Sequence, residues 1–338
     1  MNRHSKKGFM VFVTLVIIIS GFEILAGDVG AQPPPTLTLV KDINPGPNSS
    51  DPLNFIVDNS TSTVYFSATD ATHGTELWRS DGTASGTVMV KDINPGSNDS
   101  IRFGLQGVVL NLTLFFTADD GVHGGELWKT DGTEAGTIMV KDIWSVDERG
   151  SWPESFTVYD SKVYFIVYIP TSGYELWRSD GTSVGTEKAV DNTKLGDGWH
   201  PVHLIWSQGS FLYFIADDKT HGHGLWRTDG TQAGTIMLNY IGPGANWETD
   251  YQQVIKALGS LLFTVNYESW GTDNQLWVTD GTPEGTTLLK HFQSSESGHW
   301  IVPLNEMSEN LLFLADDGTH GYELWKTDGT PEGTVLVK

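Results

Sequence analysis

The eleven residues from Leu77 to Thr87 read LWRSDGTASGT, and the chain spells nearly the same words five more times. LWKTDGTEAGT starts at Leu127, LWRSDGTSVGT at Leu176, LWRTDGTQAGT at Leu225, LWVTDGTPEGT at Leu276 and LWKTDGTPEGT at Leu324. Seven of the eleven positions are identical in all six copies, and the tryptophans Trp78, Trp128, Trp177, Trp226, Trp277 and Trp325 fall 50, 49, 49, 51 and 48 residues apart. Such a period marks one supersecondary unit, too small to bury its own apolar faces, repeated until its neighbours bury them.

Each unit holds three further short runs. In the first repeat they are a mixed apolar stretch around Phe55, VYFSA from Val64, and TVMVKDI from Thr87. All are rich in β-branched and aromatic residues and are bounded by Asn, Asp, Gly or Pro, so they read as strands; no segment keeps a helical period. Four strands in a unit of about 49 residues are the content of a propeller blade. The expected fold is therefore all-β, a six-bladed β-propeller of four-stranded antiparallel blades over residues 37–338. The longest stretch without strand character follows V-K-D-I, as in Asn44 to Pro52. A connection from the rim of one blade to the axis of the next must cross the blade's width, which makes V-K-D-I the outermost strand and the Phe55 run the innermost.

One count does not balance. V-K-D-I-like strands occur at Leu37 to Ile43 and again in every repeat, giving seven outer strands against six of the others. A closed six-bladed ring is the expectation; an incomplete seven-bladed ring, or a fragment of a longer array, is the alternative.

The D-G-T-x-x-G-T segment reads as the hairpin between the third and fourth strands. Asp81, Asp131, Asp180, Asp229, Asp280 and Asp328 can each accept from the N–H two residues on, and glycines such as Gly82 and Gly86 can take positive φ. Six identical turns need no ligand to explain them, and the six tryptophans are expected to wedge between blades.

The 20 basic and 42 acidic side chains leave a net charge of -22, which repels phosphate backbones and excludes nucleic acid as a natural partner. The absence of cysteine excludes disulfides, thiolate metal sites and thiol nucleophiles. Residues 1–31 place Arg3, Lys6 and Lys7 before an apolar run from Phe9 to Ile19 and small residues up to Ala26 and Ala31. This is the order of a secretory signal, cleaved after one of those alanines, and the run is shorter than the ~20 residues of a spanning helix. Gln32 to Pro35 reads as a stiff spacer over residues 32–36, and the mature chain is expected without a membrane span, secreted or on the bacterial cell surface.

With E-L-W at Glu76, Glu126, Glu175 and Glu323, residues 36–338 resemble a bacterial family named for its ELWxxDGT repeats, often labelled hyalin-like. Gly224 and Gln275 depart from the pattern, so the glutamate is not required in every blade. The resemblance implies an exported or surface propeller-like protein and supplies no catalytic residues. The hairpin is also similar to the aspartate box of sialidases, structural there as well. A sialidase needs an arginine cluster for its carboxylate substrate, whereas Arg79, Arg178 and Arg227 occupy one repeat position in separate blades.

Inter-blade connections and the hairpins between second and third strands fall on one face, called the top, where loops of closed β folds bind ligands. Trp144, Trp152, Trp199, His200, Trp247, Tyr251, His299 and Trp300 all precede or begin an innermost strand, with Glu154, Glu248 and Asp250 beside them. Indole faces suit the C–H face of a sugar and carboxylates take its hydroxyls; the competing reading is that these aromatics plug the channel mouth. The second top-face feature is the loop D-x-x-H-G with His73, His123, His221 and His320. The acid pairs Asp119 and Asp120, Asp217 and Asp218, and Asp316 and Asp317 leave calcium as the one cofactor in play, against a plain turn with solvated acids. The fifth repeat differs, with Phe263 and Trp277 14 apart where the others show 12, its loop having gained Trp270. Gly181 to Gly185 matches G-x-S-x-G by spelling but falls in the D-G-T turn, not on a strand-to-helix elbow.

The leading expectation is a non-catalytic extracellular recognition module that binds polysaccharide or a surface protein through the top-face aromatics. A propeller hydrolase or lyase using Glu154, Glu248 or Asp250 is the runner-up, and a passive element of a surface assembly is the third reading.

Overall fold

A computed structural model describes residues 37–190, 203–217, 223–241, 254–257, 260–266, 273–294, 300–307 and 309–338; the expected signal segment and the spacer lie outside them. The chain divides into two compact units, Met1–Leu39 and Val40–Lys338. Of the first, Leu37 and Leu39 are described and both are exposed.

The second unit consists of six four-stranded antiparallel meanders, each using its strands in chain order. The first blade is β1 (Leu53–Asp58), β2 (Thr63–Asp70), β3 (Gly74–Ser80) and β4 (Val88–Lys91). The second is β5 (Gly107–Leu110), β6 (Thr113–Asp119), β7 (Gly125–Thr130) and β8 (Ile138–Lys141), and the third β9 (Glu154–Tyr159), β10 (Lys162–Ile169), β11 (Gly173–Ser179) and β12 (Glu187–Lys188). The fourth is β13 (His203–Gln208), β14 (Phe211–Asp217), β15 (His223–Thr228) and β16 (Ile236–Tyr240). The fifth is β17 (Val254–Ala257), β18 (Ser260–Asn266), β19 (Asp273–Thr279) and β20 (Thr287–Gln293), and the sixth β21 (Val302–Met307), β22 (Asn310–Asp316), β23 (Tyr322–Thr327) and β24 (Val335–Leu336). First strands of successive blades touch, β1 with β5, β5 with β9 and β9 with β13, which puts them on the inside and V-K-D-I on the rim. This is a propeller-like β fold.

Alternation along the strands divides the core. In every blade the Phe of the second strand stands opposite the Trp of the third, from Phe66 and Trp78 to Phe313 and Trp325. The Trp side faces the preceding blade and the Leu side the following one: Tyr65, Leu77 and Val90 of the first blade pack with Leu114, Phe116 and Trp128 of the second. Each later interface repeats this pairing. Leu77, Leu127, Leu176, Leu225 and Leu276 are 0% exposed, and burying each contributes about 2 kcal/mol by apolar area. A β-bulge opposite the Leu-Trp pair in four blades turns Val90, Val140, Leu238 and Leu289 inward, where all four are buried.

Polar bonds bind neighbouring blades along the rim. The V-K-D-I lysines donate to the next blade, Lys91 Nζ to the Thr137 carbonyl at 2.9 Å and Lys141 Nζ to that of Thr186 at 2.7 Å, while each lies over the next blade's tryptophan. Lys41, before the first blade, does the same to Thr87 at 2.6 Å and lies over Trp78. Residues Val40 to Ile43 thus hold the outer-strand place of a blade preceding the first. In the fourth blade Asn239 stands in for the lysine, donating to Thr286 at 2.8 Å. At the other rung Lys129, Arg178 and Arg227 donate to the carbonyls of Gly181, Gly230 and Gly281, so the arginines are spent on turns and do not converge.

The D-G-T turn forms as its residues require. Asp81 Oδ1 accepts from Thr83 N at 2.9 Å and Thr83 Oγ1 at 2.7 Å, Gly86 N donates to Thr83 Oγ1 at 2.9 Å, and Gly82 has φ +87°. All six copies repeat the pattern. The second glycine corrects the expectation. Gly86 is not at positive φ; a Cβ there would lie 2.0 Å from Asp81 Oδ1, so glycine is demanded by the close approach of the aspartate.

In the sixth blade Leu312, Leu314 and Leu324 stay partly exposed, and Val337, at the place of buried Val90, is 45% exposed. Among the described residues the Leu side of the sixth blade is thus less covered than the five before it.

Candidate functional site

The top face is held together by its own loops. Ser100 N and Ile101 N both donate to the Thr75 carbonyl at 3.1 Å, Thr75 N donates to Asp99 Oδ1 at 2.7 Å, and Asp119 N to the Ser100 carbonyl at 3.0 Å. The connection between the first and second blades is therefore pinned to the D-x-x-H-G hairpins on either side.

The E-L-W glutamate fixes that connection from beneath. Glu76, 0% exposed, accepts from Ile93 N, Asn94 N and Ser100 Oγ at 3.1, 3.4 and 2.6 Å. Glu126 does the same for the next connection with Ile143 N, Trp144 N, Ser151 N and Ser151 Oγ at 3.0, 3.1, 2.9 and 2.7 Å. Burial pushes each carboxyl up to about 7 against the pull of these bonds. In the third blade Glu175 turns instead to Lys188 and to the Trp177 indole N–H at 2.8 Å, and in the fifth Gln275 accepts from Trp277 in the same way. An amide can fill this second role, which explains why the fifth repeat needs no acid. Where the glutamate serves the connection, the indole N–H groups of Trp78 and Trp128 are left without a partner.

On this support, residues 100–106 and 152–154 enclose a cleft of about 140 Å³. Ile101, Phe103, Trp152 and Pro153 form its apolar wall, while Arg102, Gln106, Thr117 and Glu154 supply polar atoms. Phe103 is 75% exposed and meets the Trp152 ring edge-on, with centroids 5.3 Å apart. The Trp152 indole is fixed by donation to the Arg149 carbonyl at 2.6 Å and lies against Gly125, where a Cβ would come within 2.4 Å of the ring. Arg102 stacks 5.8 Å from the Trp152 ring and pairs with buried Asp119 at 2.9 Å. Burial alone pushes the Glu154 carboxyl up. A second hollow of about 500 Å³, mostly polar, adjoins the first through Arg102 and is lined by Asn94, Ser97, Asn98, Asp99, Asp120 and Gly121.

Of the residues expected at the site, the structure brings Trp152 and Glu154 together. Trp144 is elsewhere: it is 8% exposed, packed in the core between second and third blades, its N–H given to Asp147 at 3.1 Å. It plugs the connection and offers no open ring face. Trp300 stands before β21, its carbonyl accepting from the Tyr322 hydroxyl at 3.0 Å. Trp199, His200, Trp247, Glu248, Asp250, Tyr251 and His299 lie outside the described residues, as do His221 and Trp270. Arg102, Phe103 and Gln106 were not expected; the signal was an arginine beside a bulky aromatic in an inter-blade loop of an acid-rich chain.

The acid pairs do different work. Asp120 accepts from the N–H groups of Val122 and His123 and from His123 Nδ1 at 2.8 Å. Asp70 and Asp317 hold His73 and His320 alike. The partner carboxylate raises His73 and His123. Asp120 is itself lowered, since the bonds from His123 outweigh its burial. Asp119 turns to Arg102 and Gly121 N, and Asp316 to Ser294 and Gly318 N. The members of each pair therefore do not converge on one cation, and among the described residues no three His, Asp or Glu side chains cluster to hold a metal. Asp217 and Asp218 lie outside the described side chains.

No protein-family model and no curated protein matches the chain. Among solved structures it is similar to a chain from a structural and mechanistic study of two prolyl endopeptidases, at 11% identity and a TM-score of 0.51 over 85% of this chain and 42% of that one. It is also similar to a puromycin hydrolase (13%, TM-score 0.47, 78% and 42%) and to an uncharacterized protein of Listeria monocytogenes EGD-e (12%, 0.46, 90% and 86%). The first likeness is to a propeller-containing peptidase and is one of fold; this chain spans less than half of that peptidase's length.

Proposed function

We propose that the protein is an exported, non-catalytic recognition module that binds polysaccharide on the top face, in the double hollow centred on Arg102. The observation that carries this reading is the juncture itself. An exposed aromatic wall of Phe103 and Trp152 opens beside a hollow lined by amides, a serine and carboxylates, with one guanidinium serving both. A sugar chain presents the matching surfaces, apolar C–H faces alternating with hydroxyls. The rigid glutamate clamp beneath the loop lowers the ordering cost of binding. The signal-like leader and the resemblance to ELWxxDGT-repeat proteins support placement outside the cell.

A hydrolase is the second reading, favoured by Glu154, whose buried carboxyl has the elevated proton affinity of a general acid. Glycoside hydrolysis calls for a second carboxyl facing the first, and among the described residues Glu154 is the one carboxyl of the apolar cleft, Asp99 and Asp120 lining the adjoining hollow instead. Glycan-array binding followed by calorimetry separates the readings. Phe103→Ala and Gln106→Ala are expected to weaken binding about tenfold or more with the unfolding transition unmoved. Binding unaffected by both substitutions refutes the site. Release of sugar products that Glu154→Gln abolishes establishes the hydrolase instead.

A further inference from the structure

The carboxyls around the double hollow are spoken for, with one exception. Asp119 is paired with Arg102 at 2.9 Å, Asp99 Oδ1 accepts from Thr75 N at 2.7 Å, and Asp120 holds His123. Beneath them Glu76 and Glu126 are taken up by backbone N–H groups of the connections. Glu154 is the exception: among the described residues no N–H, hydroxyl or cation meets its carboxyl. Its backbone is nonetheless held in place. The residue opens β9 opposite Ile166, and Thr117 Oγ1 donates to the carbonyl of Pro153 just before it. A half-buried carboxylate with nothing to neutralise it is unfavourable, and a cation brought from outside relieves that cost.

The wall beside Glu154 also favours a cation. Arg102 already rests over the Trp152 ring at 5.8 Å, and Phe103, 75% exposed, adds a second ring to the same cleft. The electron-rich face of such a ring attracts positive charge. Around the two hollows the carboxyls of Asp99, Asp119, Asp120 and Glu154 stand against the single guanidinium of Arg102. The net charge of -22 extends the same preference to long range. Uronates and sulfated sugars are repelled by such a surface.

We infer that the sugar chain bound here carries amines, one of which enters the cleft as an ammonium group at Glu154 and Phe103 while hydroxyls meet the polar hollow. This rests on the polysaccharide reading and narrows it. The ammonium group draws Glu154 into its ionised form, and the charge-assisted bond is strengthened by the apolar wall around it. A lysine side chain of a protein carries the same charge, but its aliphatic stem offers nothing to the amides, serine and carboxylates of the adjoining hollow. A sugar ring offers hydroxyls to them beside its amine.

The test is calorimetry of the full chain with glucosamine oligosaccharides and with the same oligosaccharides N-acetylated, at about pH 6, where an amine is protonated. The amine form is expected to bind about tenfold or more tighter. Glu154→Gln, checked for folding by circular dichroism, is expected to bring that ratio to about one. If Glu154→Gln is unfolded, Glu154→Asp takes its place; it draws the carboxylate back by a methylene and is expected to cut the ratio severalfold. Three results overturn the inference and leave the polysaccharide reading standing: equal affinity for the two forms, tighter binding of an oligouronate, or a ratio that the folded variant does not lower. Binding of an oligolysine peptide with no oligosaccharide bound, or no binding of any glycan, overturns that reading and this inference with it.

Discussion

The buried glutamates make stability depend on pH in a direction that can be worked out. In the unfolded chain Glu76 and Glu126 titrate near the ordinary 4.5, and in the folded protein burial holds each at about 7. Between those values the native state keeps a proton that the unfolded state has released. Stability from these groups is therefore greatest below pH 4.5, falls as pH rises towards 7 and is level beyond. The gap amounts to roughly 3 kcal/mol for each carboxyl. The histidine turns act in the same sense: His73 and His123 are raised by their aspartates, so their contribution is present below pH 6.5 and lost through the folded value. At the acid end the lowered carboxyls of Asp70 and Asp120 contribute above pH 3.8 and lose that contribution as pH falls. The maximum is expected near pH 4, where the glutamate and histidine contributions are still present and the aspartate contribution is not yet lost. Urea unfolding followed by tryptophan fluorescence should show a lower midpoint at pH 8 than at pH 5, and the Glu76→Gln, Glu126→Gln double variant should lose most of that difference. A midpoint that is flat, or that rises from pH 5 to pH 8, refutes the burial argument.

In the D-G-T turn, Gly136→Ala drives a Cβ to within 2.1 Å of Asp131 Oδ1. Swinging the aspartate away gives up its bonds to Thr133, so Gly136→Ala and Asp131→Ala should each cost about 1 to 2 kcal/mol and the double variant no more than the larger, read from urea midpoints. Lys91→Met removes one rim bond and its charge over Trp128 while keeping the aliphatic stem; about 1 kcal/mol is expected from the same measurement.

What the chain says sixfold could be read from it directly. Strand order, the Phe-Trp register and the aspartate's grip on the turn all follow from positions repeated in every blade, where a local error would have to be made six times over. What it says once could not. The side chain of Trp144 sits in an inter-blade loop just as Trp152 does, and only packing separates a plug from a wall: Trp144 has Asp147 within reach and turns under, whereas Trp152 meets Gly125 and stays at the surface. The role of Glu76 was hidden because its partners, Asn94 and Ser100, are 18 and 24 residues away in a loop whose path no periodicity describes.

The clamps and rim bonds described above reach one blade forward and no farther. Each blade is thus insulated from all but its immediate neighbours, and a lesion in one loop is not felt two units away. A lineage built this way can rewrite its recognition surface a single connection at a time, or lengthen and shorten the row, without solving the problem of folding afresh.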